Sequence, residues 1–283
     1  MSTERHLLPV VAITGSSIMV ACGGCTGGSC GSYGSYGSFG SYGPYVARRP
    51  GAKQAARAAS SYGSCFAPVS VGADGIYEGT LTNTATQQEN PVVAIIADNG
   101  DGRMSAQDGT YYRLTVATSG NSVSGSFSGY SQVATFPNGR QVTSGSLSAT
   151  LSAPGLSGTL TDQVGDAEAL SLNFDNVYSL SSALPYLAGT WSYSVSGFSL
   201  TATIQADGTF SANDSNSCSY TGAFGLIDSN FNAYSEEYIR SCNGSSMTFT
   251  GLASYFPATG GASAQIKMLA DDNSGDYLVA VLK

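Results

Sequence analysis

The chain has 283 residues, only 11% of them charged, and 36 glycines, so it has room for one large β domain or two small ones and little propensity for helix. Its formal charge is −8, and after residue 70 six basic residues face eighteen acidic ones, a surface that repels phosphates and excludes nucleic acid as a partner. The single histidine, His6, stands before any plausible cleavage point, which excludes Ser-His-Asp and Cys-His catalysis, a histidine base and histidine-held zinc from a processed chain.

In chain order, residues 1–21 come first. A short polar start with one arginine precedes an apolar run from Leu7 to Ala21, broken at Gly15-Ser16-Ser17. The run is too short to span a bilayer comfortably and has the form of a secretory signal. It ends in Met19-Val20-Ala21-Cys22-Gly23. Three readings of Cys22 are open: a lipidated residue exposed by cleavage, a cysteine behind an ordinary signal, or half of a C-x-x-C with Cys25. The C-x-x-C has no second pair, no histidine and no βαβ setting around it. The small residue before the cysteine resembles a bacterial lipoprotein signal. That resemblance implies cleavage before Cys22, a lipid on Cys22, the membrane as a partner, and, with Gly23 following, sorting to the outer membrane.

Residues 22–68 read as a low-complexity tether. Gly-Ser-Tyr/Phe repeats every three residues from Gly31 to Tyr42, and half of such a segment is Gly or Ser, with nothing to build a core. Its regular aromatics are a route to self-association. Residues 46–60 are basic and Ala-rich, which suits either more linker or contact with anionic headgroups.

From Val69 onward, alternating apolar residues and turn signals recur every 8–14 residues. The expected strands are 75–82, 92–98, 111–119, 122–130, 145–151, 157–162 and 169–178. The pattern then begins again: Gly75-Ile-Tyr77 is echoed by Gly189-Thr-Trp191, and Asp101-Gly102 by Asp207-Gly208. This predicts an all-β chain with two tandem antiparallel meander domains, 70–182 and 186–283, each a small barrel or a sandwich. Asp101-Gly102 and Asp207-Gly208 are expected to be hairpin turns, since glycine accepts positive φ.

Two acidic loops, 98–102 and 271–276, invite a calcium reading, but glycines stand where an EF-hand loop needs oxygen ligands. No metal site is expected, and no nucleotide or cofactor motif is present. Cys218 and Cys242 fall in neighbouring strands of the second domain, and in an exported chain they are expected to form a disulfide. Cys25, Cys30 and Cys65 are left without an assigned partner. Glu236-Glu237 is the densest charged cluster of the second domain; neighbours in a strand face opposite ways, so they cannot serve as a glycosidase pair, and they read as a solvated strand end. Tyr77, Tyr111, Tyr112, Trp191, Phe210 and Tyr220 read as barrel core, with a ligand-lined cavity as the alternative.

Leu187-Ala-Gly-Thr-Trp191, Gln205-Ala-Asp-Gly-Thr-Phe210, Cys218-Ser-Tyr-Thr-Gly222, Cys242 and Phe249-Thr-Gly251 together resemble a module of uncharacterised Gram-negative outer-membrane lipoproteins. More distantly, a glycine-rich tether before two β domains is similar to surface lipoproteins of the transferrin-binding type. These likenesses imply a small barrel and an envelope location, and no reaction. The expected function is therefore non-catalytic: a tethered binder of a protein or small ligand. The alternatives are an inhibitor or immunity protein against a wall-degrading enzyme, a structural envelope component, and, last, a carboxylate enzyme.

Overall fold

A computed structural model of the chain describes residues 72–131, 136, 141–195 and 197–283. The signal, Cys22, the tether and Cys25, Cys30 and Cys65 lie outside the described residues. The first eight strands are β1 (Gly75–Asn83), β2 (Glu89–Ile96), β3 (Asp101–Ala106), β4 (Thr110–Ser119), β5 (Ser122–Ser131), β6 (Val142–Ser152), β7 (Gly155–Asp162) and β8 (Ala167–Asp175). They pair in sequence order, and β8 returns to β1, closing a barrel. The next eight are β9 (Gly189–Val195), β10 (Phe198–Ile204), β11 (Thr209–Asp214), β12 (Ser219–Leu226), β13 (Tyr234–Cys242), β14 (Ser245–Phe256), β15 (Gln265–Asp271) and β16 (Tyr277–Leu282). They form a second antiparallel meander in the same order. Its two end strands meet where the backbones of Ser192 and Lys283 exchange N–H···O bonds of 2.8 Å each. The all-β, two-barrel reading is thus what the chain adopts.

The alternation that marks a half-buried strand is clearest in β10. Phe198, Leu200, Ala202 and Ile204 face the barrel interior, while Ser199, Thr201 and Thr203 face out. Each barrel interior is one apolar cluster, around Tyr77, Met104, Tyr112 and Phe127 in the first and around Trp191, Tyr220, Tyr238 and Phe249 in the second.

The two halves are built on one plan. The Tyr77 hydroxyl donates to the Ala73 carbonyl at 3.0 Å, and the Trp191 indole N–H donates to the Leu187 carbonyl at 2.8 Å. Each aromatic thus pins the segment that enters its barrel. The hairpin echo needs a correction. Asp207-Gly208 is a turn, with Gly208 at φ +86° and the Asp207 carboxylate accepting from the Thr209 amide. Asp101 and Gly102 instead belong to β3, where Gly102 pairs with Ile96. The matching turn glycine is Gly100 at φ +82°, and Asn99 does the work of Asp207 by accepting from the Asp101 amide. The first half's turn lies two residues earlier than the Asp-Gly match implies, because an Asp-Gly follows the turn's Asn99-Gly100 and mimics it.

A third apolar cluster joins the barrels. Ile76, Ile95, Tyr111 and Tyr130 from the first meet Leu252, Phe256, Leu269 and Tyr277 from the second. Tyr178, on a 3-10 turn at Asn176–Ser179, joins them and stacks on Phe231 with ring centres 5.0 Å apart. The strands that build this junction are buried on both faces, as β3 and β15 show from end to end.

Candidate functional site

Polar groups gather in the junction. Arg103 leaves β3 on its outward face and is 1% exposed. Its Nε stands 3.1 Å from the Asp271 carboxylate at the end of β15, and its guanidinium also bonds Asp101. The Nε hydrogen is not aligned on Asp271, so that contact is charge attraction rather than a hydrogen bond. Asp271 is fully buried, accepts from the Tyr111 hydroxyl at 3.1 Å, and lies 3.6 Å from Arg113. Tyr111 stacks on Tyr277 at 5.0 Å, and the Tyr277 hydroxyl donates to the Gly109 carbonyl. On the same face, Lys267 of β15 reaches Glu78 of β1 at 2.9 Å and lies over the Phe256 ring at 4.2 Å. Every charge-bearing partner here comes from the opposite barrel or from the same strand edge, so the cluster fixes how the barrels dock.

Glu236 overturns a sequence expectation. Glu237 is exposed, as the alternation requires, but Glu236 faces the interior of the second barrel between Tyr234 and Tyr238 and is 2% exposed. It is no solvated strand end. Neither carboxylate oxygen reaches a partner in hydrogen-bonding geometry. Burial pushes its pKa up to about 8, against the opposing pull of Arg103 and the Leu269 backbone amide. The carboxyl group is therefore neutral near pH 7. Its effect spreads to its neighbours: Glu236 is among the charges that hold the hydroxyls of Tyr111 and Tyr238 above their ordinary range, after burial itself.

At the rim of the first barrel, Tyr112 donates to Glu168 at 2.9 Å, and burial raises the Glu168 pKa. Of the six aromatics expected in barrel cores, Tyr77, Tyr112, Trp191, Phe210 and Tyr220 are there; Tyr111 belongs to the junction instead. Inside the second barrel a cavity of about 20 Å³ is lined by Leu200, Phe210, Tyr220, Met268 and Leu278 among others. That is space for about one water, and its apolar walls offer a water no partners.

The two acidic loops serve themselves and the junction. Asp272 accepts from the amides of Ser274, Gly275 and Asp276, while Asp271 is engaged as above. Among the described residues no three ligating side chains converge as a metal site would require. Cys218 and Cys242 form a disulfide that ties the start of β12 to the end of β13, with Cα atoms 4.5 Å apart.

Arg103, Asp271, Lys267 and Glu78 were not singled out from the sequence. Their signal is a lone charge within an apolar strand, as in Ile-Lys267-Met-Leu and Gly-Arg103-Met, where a strand buried on both faces must find the charge a partner. Compared with known protein families, curated proteins and solved structures, the chain finds no match.

Proposed function

We propose that the chain is a non-catalytic, lipid-anchored envelope protein that binds a protein partner on the outside of its paired barrels. The observation that carries this reading is the packed interior of the second barrel. A cavity of about 20 Å³ falls far below the few hundred Å³ of a metabolite pocket, so recognition falls to the exterior. The titratable groups support the same reading. Glu236, Asp271 and Arg103 are each no more than 2% exposed, and no substrate atom reaches them while the barrels stay docked. The anchor rests on Cys22 and the signal before it. Protease shaving of intact cells, with blots of membrane and soluble fractions, tests the placement for wild type and Cys22→Ser. Release of the Cys22→Ser protein from the membrane is expected; retention overturns the anchor. Turnover of a substrate by the purified mature protein overturns the non-catalytic reading.

A second reading, an inhibitor of a basic wall-degrading enzyme, is favoured by the charge left outside. With Arg103, Lys267, Glu236 and Asp271 all buried, four basic residues still face sixteen acidic ones after residue 70. Such an interface weakens as salt screens it.

A further inference from the structure

The two barrels share a plan but not a closure. In the first, β1 and β8 pair from Ile76↔Asp175 to Asn83↔Glu168. In the second, β9 and β16 form no ladder, and the Ser192–Lys283 exchange pins them at one place. The pin occupies the position of Glu78↔Asn173 in the first barrel, because Ser192 follows the clasp residue Trp191 as Glu78 follows Tyr77.

The next residue differs between the halves. In the first barrel it is Gly79. A Cβ there would lie 2.0 Å from the Ser171 carbonyl oxygen and 2.8 Å from the Leu172 Cα, so β8 at its present approach leaves no room for a side chain. In the second barrel it is Tyr193, whose ring packs edge-on against Phe198 with centres 6.0 Å apart. A side chain in that place does not fit the approach that β8 makes in the first barrel.

The seam that results is equipped for pairing. In an antiparallel strand a residue's N–H and C=O share one edge and alternate residues share it. Ser192 and Lys283 face the seam, so Ser194 and Val281 face it too, and among the described residues no ladder crosses it. The outward β9 residues Thr190, Ser192 and Ser194 carry neither charge nor proline, the usual guards of an edge. The cavity within the barrel is bordered by Leu278, Ala280 and Leu282 of β16 and by Leu200 and Ala202 of β10, with no side chain from β9. Tyr193 is 6% exposed, and its hydroxyl has no hydrogen-bond partner. A buried hydroxyl left unpaired is costly, and it marks a place where a partner atom is missing.

We propose that this seam is a strand-addition site, in which an extended segment of a protein partner inserts between β9 and β16. The segment displaces the Ser192–Lys283 exchange, pairs with the backbones of Ser194 and Val281, offers the Tyr193 hydroxyl a partner, and turns a small apolar side chain into the cavity. A second copy does not fit, because its strands are already committed to neighbours in their own barrel, while a notch with two walls takes a strand with both edges free. A ninth strand also widens the second barrel, so that its closure no longer needs the tight approach that leaves no room for a side chain at Gly79 of the first. The inference rests on the protein-binding reading above for the identity of the occupant.

The test is hydrogen exchange of the full chain, alone and with the probe acetyl-Thr-Val-Ser-Val-Thr-Val-Ser-amide. In the free chain the amides of Ser194 and Val281 are expected to exchange at least about a hundredfold faster than those of Thr80 and Ser171, their paired counterparts in the first barrel. Millimolar probe slows them about tenfold and leaves the first barrel unchanged. Tyr193→Gly, which restores the first barrel's solution, closes the seam and abolishes the effect. Val281→Pro removes a donor that points into the seam and abolishes it without closure. Seam amides protected in the free chain, no slowing by probe, or unchanged probe binding by Val281→Pro each overturn the proposal. If the probe fails while the chain still cross-links to a partner on intact cells, the seam is refuted and the protein-binding reading stands. If the probe protects the seam and no partner is cross-linked, the seam stands and that reading falls.

Discussion

Replacing Glu236 by glutamine tests the electrostatics of the second barrel most directly. In the folded chain burial lifts this carboxyl from its ordinary 4.5 to about 8. The unfolded chain loses its proton near 4.5, and the folded chain keeps it to about 8. Between those limits the folded state holds more protons, so stability falls as pH rises. The contribution is fully present below about pH 4.5 and gone above about pH 8. A slope of up to about 1.4 kcal/mol per pH unit across this window amounts to on the order of 5 kcal/mol. Glutamine has the same shape and does not titrate, while every other group titrates equally in both proteins. Urea unfolding of wild type and Glu236→Gln at intervals from pH 4.5 to 9 isolates the difference. The two should differ by a constant offset at the acid end. The variant should then gain on wild type steadily to about pH 8, and the gap should hold level beyond. A gap that stays constant from pH 5 to 8, or one that moves toward wild type, refutes the burial of an ionisable carboxyl inside this barrel.

The junction, the disulfide and the first barrel's closure give further expectations. Asp271→Asn removes the fully buried carboxylate beside Arg103 and leaves the guanidinium only the more exposed Asp101; it should cost about 3–5 kcal/mol in unfolding, and a loss under about 1 kcal/mol would show the pair to be solvated. Cys218→Ser with Cys242→Ser opens a loop of 24 residues' separation and should cost about 3 kcal/mol, read as a lower urea midpoint that reducing agent reproduces in wild type alone. Gly79→Ala puts a Cβ where the Ser171 carbonyl lies; it should destabilise the chain by more than about 1 kcal/mol and speed amide exchange along β1 and β8, whereas alanine at Tyr193 should leave β1 and β8 untouched.

Much of the architecture was legible because a half-buried strand writes its own pattern. The strands at 111–119, 122–130, 145–151 and 157–162 are found within a few residues of their expected limits. The last strand of the first half, expected to run through 178, stops at Asp175, where its carboxylate caps the Val177 amide and turns the chain into a 3-10 turn. A local aspartate cap outweighed the apolar alternation of Val177 and Tyr178. Glu236 was misread for a different reason. Its position on the inward face followed from the period of two, yet a carboxylate between tyrosines in a strand is ordinarily taken to mark the solvent side. Alternation puts it inside, burial holds its proton there, and no pattern local to β13 records the loss of its charge. The same holds for Tyr111. It alternates as a barrel strand should, with Tyr112 inside, and only the second barrel makes its outward position a core position.

The duplication itself is where sequence and structure part most usefully. The echoes at Tyr77 and Trp191 are equivalent in the fold, because both aromatics do the same task of clasping the entering chain. The Asp-Gly echo is not equivalent, because a turn requires only one residue with positive φ and either glycine of Gly100-Asp-Gly102 satisfies a reader of sequence. Two positions after each clasp, the halves diverge in a way that no turn or period reveals: glycine in one, tyrosine in the other. At that place the first barrel's closing ladder leaves no room for a Cβ, while the second barrel carries a tyrosine and has no closing ladder. The first barrel is thereby a sealed body whose outer face is given to docking. The second retains an edge, and with it the one stretch of backbone in the described barrels that is arranged to pair and left without a ladder.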